Sequence, residues 1–143
     1  MDVLFIASVA IITPEPAESR KLFMGALGLP LKQHDGGDYY FSDNIGGSKH
    51  FGVWPLSQAA EACFGTTVWP ADRPIPHACF EFEVADKESV AAAAEELTSK
   101  GYVLLHGART EPWGQTVARM QTAEGVIIGI SYAPWMHEAA PVG

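Results

Sequence analysis

The sequence is poor in several things that usually announce a function. It has two cysteines, Cys63 and Cys79. They make neither a C-x-x-C pair nor a secreted-type disulfide framework, so a reducing, cytoplasmic setting is expected. Nine Lys and Arg against seventeen Asp and Glu leave a net charge of −8. Nucleic acid and anionic membranes need a cationic surface, so neither is expected as a partner. The acidic residues are spread along the chain, as on a solvated surface, and form no tail. No apolar run can span a bilayer. The early stretch "VLFIASVAII" has only Asp2 as a charged neighbour and no basic lead, and reads as a buried strand rather than a signal peptide. No G-x-S-x-G elbow, phosphate loop or G-x-G-x-x-G turn occurs, which removes the common signatures of hydrolases and nucleotide binders.

What is present is apolar residue in quantity, 48% of 143 residues, enough for one well-packed domain. Its periodicity changes along the chain. Val3 to Thr13 is rich in Val and Ile and reads as a strand. In "TPEPAESRKLFMGALG", Thr13 is a candidate N-cap, Pro14 suits a first turn, and Glu15 and Glu18 complement the helix dipole. Leu22, Phe23, Ala26 and Leu27 give an apolar helix face that Gly28 and Pro30 end. "LKQHD", "DYYFSD" and "SKHFGVWPL" read as three strands separated by glycine turns. Residues 57–76 read as a linker or loop, with a short helix over Ser57–Cys63 and prolines at 70, 74 and 76.

The pattern then restarts. Phe80, Phe82 and Val84 alternate with Glu81 and Glu83, a half-buried strand. Asp86 can cap the helix "ESVAAAAEELTSKG", which ends at Gly101. "YVLLHG", "GQTVARMQT" and "GVIIGISYAPW" read as three more strands. The expected class is therefore α+β, with a βαβββ module over 1–56, the linker over 57–76, a second βαβββ module over 77–136 and a tail over 137–143.

This arrangement resembles the vicinal oxygen chelate superfamily, which holds glyoxalases, extradiol dioxygenases and bleomycin resistance proteins. "SVAIITPEPAESRKLFMGALGLPL", "FEFEVADKESVAAAAEELTSKGY" and "EPWGQTVARMQTAEGVIIGISY" carry the resemblance, which covers roughly Val3 to Trp135. It implies a curved mixed sheet with a concave ligand cavity, and pairing as a homodimer. It also implies a divalent metal in the enzymes, held by His or Gln, Glu, His and Glu on the first and last strand of each half, where it acts as a Lewis acid. Those positions fall here on Ser8, Cys79 and Gly129, with the fourth inside "HFGVWPL", where no carboxylate occurs. Such residues do not make a hard-metal site. The expectation is no metal or other cofactor. The alternative is one divalent ion on a rebuilt site around His50 and His77, with Cys79 and a carboxylate such as Glu81, His77 sharing a strand face with Cys79.

The function expected is metal-independent binding of a small molecule, in the manner of the bleomycin resistance proteins, with antibiotic sequestration as one use. The alternative is a metal-dependent lyase, isomerase or dioxygenase. The candidate ligand-binding residues are Ser8, His50, Trp54, His77, Cys79, Trp113 and Arg119. Trp113, between Pro112 and Gly114, is the best pocket aromatic. Cys79 reads as a small buried hydrophobe rather than a reactive thiol. Alternation puts Arg119 and Val117 on one strand face and Ala118 and Met120 on the other, without saying which is inside. His34, His106 and His137 read as loop or terminal residues.

Overall fold

The computed structural model describes residues 1–137; apart from His137, the tail assigned to 137–143 lies outside them. The strands are β1 Phe5–Thr13, β2 Lys32–Gln33, β3 Tyr40–Ser42, β4 Phe51–Pro55, β5 Ala78–Glu83, β6 His106–Thr110, β7 Thr116–Gln121 and β8 Ile127–Tyr132. The helices are α1 Pro16–Arg20, which widens into a looser turn over Lys21–Ala26, then α2 Leu56–Phe64 and α3 Lys87–Ser99. The result is a mixed α+β fold. All eight strands join one curved, open sheet in the order β2-β3-β4-β1-β5-β8-β7-β6. β1 runs parallel to β4, and β5 parallel to β8. β1 and β5 meet antiparallel at the centre, pairing Ser8 with Glu81 and Ala10 with Cys79.

Local chemistry explains most element ends. Asp86 caps α3 as its sequence suggests, its Oδ1 accepting from the Ser89 backbone N–H at 2.7 Å. Gly28 and Gly101 end their helical segments at φ +67° and +93°, a region L side chains avoid. Thr13 takes a different place from the one expected. Its hydroxyl accepts from the Glu15 N–H and the Ser19 hydroxyl, and α1 begins at Pro16 rather than Pro14. The strand expected at "YVLLHG" also moves. Pairing starts at His106, and Tyr102 and Val103 are exposed on the way out of α3.

The two sheet faces pack differently. On the convex face, Val90, Ala93 and Ala94 of α3 meet Val84, Ala118 and Ile130. On the concave face, Ala59, Ala60 and Cys63 of α2, with Trp69, pack on Ala10, Ile12, Cys79 and Ile127. The 57–76 segment is therefore packed against the body. Its Trp69 indole donates to the Pro74 carbonyl at 2.9 Å, and Gln121 donates to the same carbonyl at 2.7 Å. That packing closes one end of the trough and leaves the middle open. No helix of the described residues is long and apolar enough to cross a membrane.

Candidate functional site: a concave, aromatic-walled cavity

The open middle of the trough is a cavity of about 380 Å³. Period two fixes its floor. Residues paired across a ladder share a face, so Ser8, Ala10, Cys79 and Glu81 point in from the central strands. Six of the seven residues singled out from sequence line this one space: Ser8, His50, Trp54, Cys79, Trp113 and Arg119. The seventh does not. His77 precedes β5 and is exposed, with only its backbone carbonyl engaged, by the Ile12 N–H. His50 lies further along the trough, its carbonyl accepting from Val9. The rebuilt metal site around His50 and His77 is thus not assembled.

One wall is cationic, with Arg119 and Arg109 sharing the single carboxylate of Glu111. Arg119 is 1% exposed, and its face of β7, with Val117, is the concave one. Its guanidinium donates to Glu111 Oε1 at 3.2 Å and to His106 Nε2 at 3.1 Å, and sits 5.8 Å from the Trp54 ring. Burial alone would raise the Glu111 pKa. The hydrogen bond from Arg109 and the charges of Arg119 and Arg109 outweigh it and hold the carboxyl below its usual range. Burial lowers His106 from 6.5 to about 4, against the hydrogen bond to the Gly107 carbonyl and with help from Arg119. His106 is therefore neutral at pH 7, with Nδ1–H on Gly107 and Nε2 free to accept from Arg119.

The opposite wall is a hydrogen-bonded chain. His50 Nδ1 lies 2.6 Å from Asp43 Oδ1, and His50 Nε2 lies 2.5 Å from the Tyr39 hydroxyl. An ionised Asp43 can only accept, so Nδ1 carries the ring hydrogen and Nε2 accepts from the phenol. Burial, then the charges of Glu81, Cys79 and Asp43, push the Tyr39 pKa well up, so Tyr39 is a neutral phenol. The same causes, burial first and then Glu81, keep Cys79 a thiol.

Trp113 and Gln115 make a third wall. The Trp113 indole donates to Gln115 Oε1 at 2.8 Å, and Gln115 donates on to Ser131 at 2.8 Å. The short turn Pro134–Met136 adds Trp135 and Met136 to the cavity lining. Sequence reading undervalued four residues. Tyr39, Asp43, Glu81 and Gln115 gave no motif, and only folding brings them together. The three histidines read as loop or terminal are also engaged: His34 at the cavity rim against Phe41, His106 on Arg119 and His137 on Glu83.

The model of the glyoxalase/bleomycin resistance protein/dioxygenase superfamily matches residues 5–130. The chain belongs to that superfamily. No curated protein matches it. Among solved structures, a superfamily member from Vibrio splendidus 12B01 aligns over 90% of this chain and 97% of its own, at 14% identity and TM-score 0.57. A Streptomyces coelicolor methylmalonyl-CoA epimerase variant, in complex with 2-nitronate-propionyl-CoA, aligns over 98% and 100%, at 13% identity and TM-score 0.59. A Mn(II)-bound glyoxalase from Novosphingobium aromaticivorans aligns over 90% of this chain and 38% of its own, at 15% identity and TM-score 0.58. At such identities these structures share the fold alone.

The superfamily's enzymes set a standard against which the donor set can be tested. β8 offers Gly129, opposite Glu81 on β5. The matching pair between β1 and β4 is Ala10 with Gly52, so the fourth inward position is Gly52. The four positions thus hold Ser8, Gly52, Cys79 and Gly129. Two have no side chain, and a buried thiol and a hydroxyl do not fit a hard cation. Other side chains take up the room. A Cβ on Gly52 would fall on the Tyr39 hydroxyl, and one on Gly129 would lie 3.1 Å from Glu81 Cγ and 3.4 Å from Oε2. Both nitrogens of His50, which also lines the cavity, are already hydrogen-bonded.

Proposed function

We propose that the protein binds a small organic molecule in this cavity without a metal ion, and that sequestration of an antibiotic-like compound is one use of that binding. The observation that carries the reading is the content of the four inward positions: Ser8, Gly52, Cys79 and Gly129, with Tyr39 and Glu81 over the glycines. The ligand's character follows from the walls. Phe41, Trp54, Trp113 and Trp135 offer flat apolar surface. Glu81 lines the cavity with no ion pair or hydrogen bond to its carboxylate among the described residues. A flat compound with a cationic or hydrogen-donating group matches that pair of features, and the net charge of −8 would draw a cation in.

Titration with bleomycin-type and other cationic aromatic compounds, followed by tryptophan fluorescence, tests the reading. Saturable quenching with the same affinity before and after EDTA treatment is expected. Glu81→Gln should weaken a cationic ligand about tenfold, the worth of one charged hydrogen bond. Binding that appears only with an added divalent ion would overturn the proposal.

A further inference from the structure

The Asp43–His50–Tyr39 chain does more than a binding wall requires. Its parts stand in the order of a catalytic triad: a hydroxyl on an imidazole, and the imidazole on a carboxylate, at 2.5 and 2.6 Å. The outer member, Asp43, is solvent-exposed, and the inner member, Tyr39, ends inside the trough beside Gly52. The absent side chain of Gly52 is what admits the hydroxyl, since any Cβ there would collide with it. The rings of Tyr39, Phe41 and His50 lie within 24° of parallel, with centroids 5.0 to 5.9 Å apart, so the imidazole is held among aromatic neighbours.

We propose that Asp43, His50 and Tyr39 form a proton relay that makes the cavity a general base toward a flat bound molecule with an acidic C–H. The Tyr39 oxygen takes the proton from carbon. Its own hydroxyl proton passes at the same time to His50 Nε2, the nitrogen that already accepts its hydrogen bond, and Asp43 balances the resulting imidazolium. The C–H electron pair stays on the substrate and forms a new π bond there. No free phenolate arises, which matters because burial and the neighbouring Glu81 oppose one. The electron pair displaced in the substrate must end on an electronegative atom, so the substrate class is a small conjugated compound with a hydrogen on the carbon bonded to the atom that carries that acceptor. No oxidant, reductant or ion takes part. The proposal rests on the metal-free reading, because a cation on His50 would occupy the nitrogen that receives the proton.

The probe is 5-nitrobenzisoxazole, a flat aromatic whose ring carbon gives up its proton as the N–O bond breaks. The C–H pair becomes the third bond of the nitrile, and the N–O pair leaves on oxygen as a coloured phenolate. EDTA-treated protein should open the ring at least about 100-fold faster than acetate and imidazole at the same concentration, the lower end of general-base catalysis. Tyr39→Phe and His50→Gly should each lose at least about tenfold of that rate. Added imidazole should restore turnover to His50→Gly, a rescue that a merely structural histidine would not show. Thermal unfolding confirms that each variant is folded, and the His50→Gly rescue stands if Tyr39→Phe is not. Fluorescence quenching by the probe with no turnover overturns the relay and leaves the binding reading intact. No binding and no turnover also overturns it. Turnover lost in Glu81→Gln but kept in Tyr39→Phe makes Glu81 the base and overturns it. Turnover that needs a divalent ion overturns both proposals.

Discussion

Glu81 and Glu83 sit two residues apart on β5, face the same side of the sheet and have the same chemistry, yet their surroundings differ. Glu83 is 0% exposed. Its Oε2 accepts from the Ala133 N–H at 2.6 Å and lies 2.7 Å from His137 Nε2, so it ties the chain after β8 to the sheet centre. Glu81 opens on the cavity with Gly129 at its side and no protein partner among the described residues. A buried carboxylate with partners is a structural joint, while one that faces a cavity without them is available to a ligand. The same division runs across the cavity. Arg119 is held inside the fold by Glu111, which it shares with Arg109.

Substitution at the two glutamates breaks this comparison most directly. Glu83→Ala strands the Ala133 N–H and His137, and should cost about 3 kcal/mol of unfolding free energy in urea. Glu81→Gln should change it by less than about 0.5 kcal/mol. Equal losses would mean that both are joints. Gly129→Ala is next. Its new methyl meets Glu81 Cγ at 3.1 Å and Val117 Cγ2 at 3.3 Å. It should cost about 1 to 2 kcal/mol by overpacking. It should also weaken a cationic ligand by displacing the Glu81 carboxylate, which fluorescence titration would register.

A smaller effect extends the comparison to pH. The fold holds His106 at about 4 against an ordinary 6.5, so the unfolded chain takes up the proton first. The contribution of neutral His106 is complete above about 6.5 and is lost as pH falls toward 4. Because the ring is partly solvated, the loss across that window should be about 1 kcal/mol, and His106→Asn should abolish it. Denaturation at the two ends of the window checks this. The least change is expected of Trp113→Phe. Trp113 is 46% exposed, and its replacement should alter stability by under about 0.5 kcal/mol while reducing ligand-induced quenching.

How far the sequence was legible follows the same physics. Helix caps, glycine stops and strand alternation are local, and they located α3, β4, β7 and β8 closely. Six of the seven residues proposed for the site share the cavity because strand period two and the superfamily pattern constrain them together. The alternation in β5 was visible but its meaning was not. Phe82 and Val84 face α3, so the glutamate face is the inner one, which nothing local distinguishes from a solvated face. The meeting of Tyr39 and Asp43 with His50, itself singled out, was out of reach for another reason. They meet only because β3 folds back antiparallel on β4, and glycine at 52 leaves room for the phenol. His77 misled because a shared strand face says nothing of how far along the trough a residue lies.

The central claim is that the cavity works without a bound ion. Elemental mass spectrometry tests it most directly, on protein purified without chelator or affinity tag and incubated with Zn²⁺, Ni²⁺, Mn²⁺ or Fe²⁺. The account predicts metal far below stoichiometric after desalting. A content of about one ion per chain would contradict it, and would mean that side chains other than Ser8, Gly52, Cys79 and Gly129 supply the ligands.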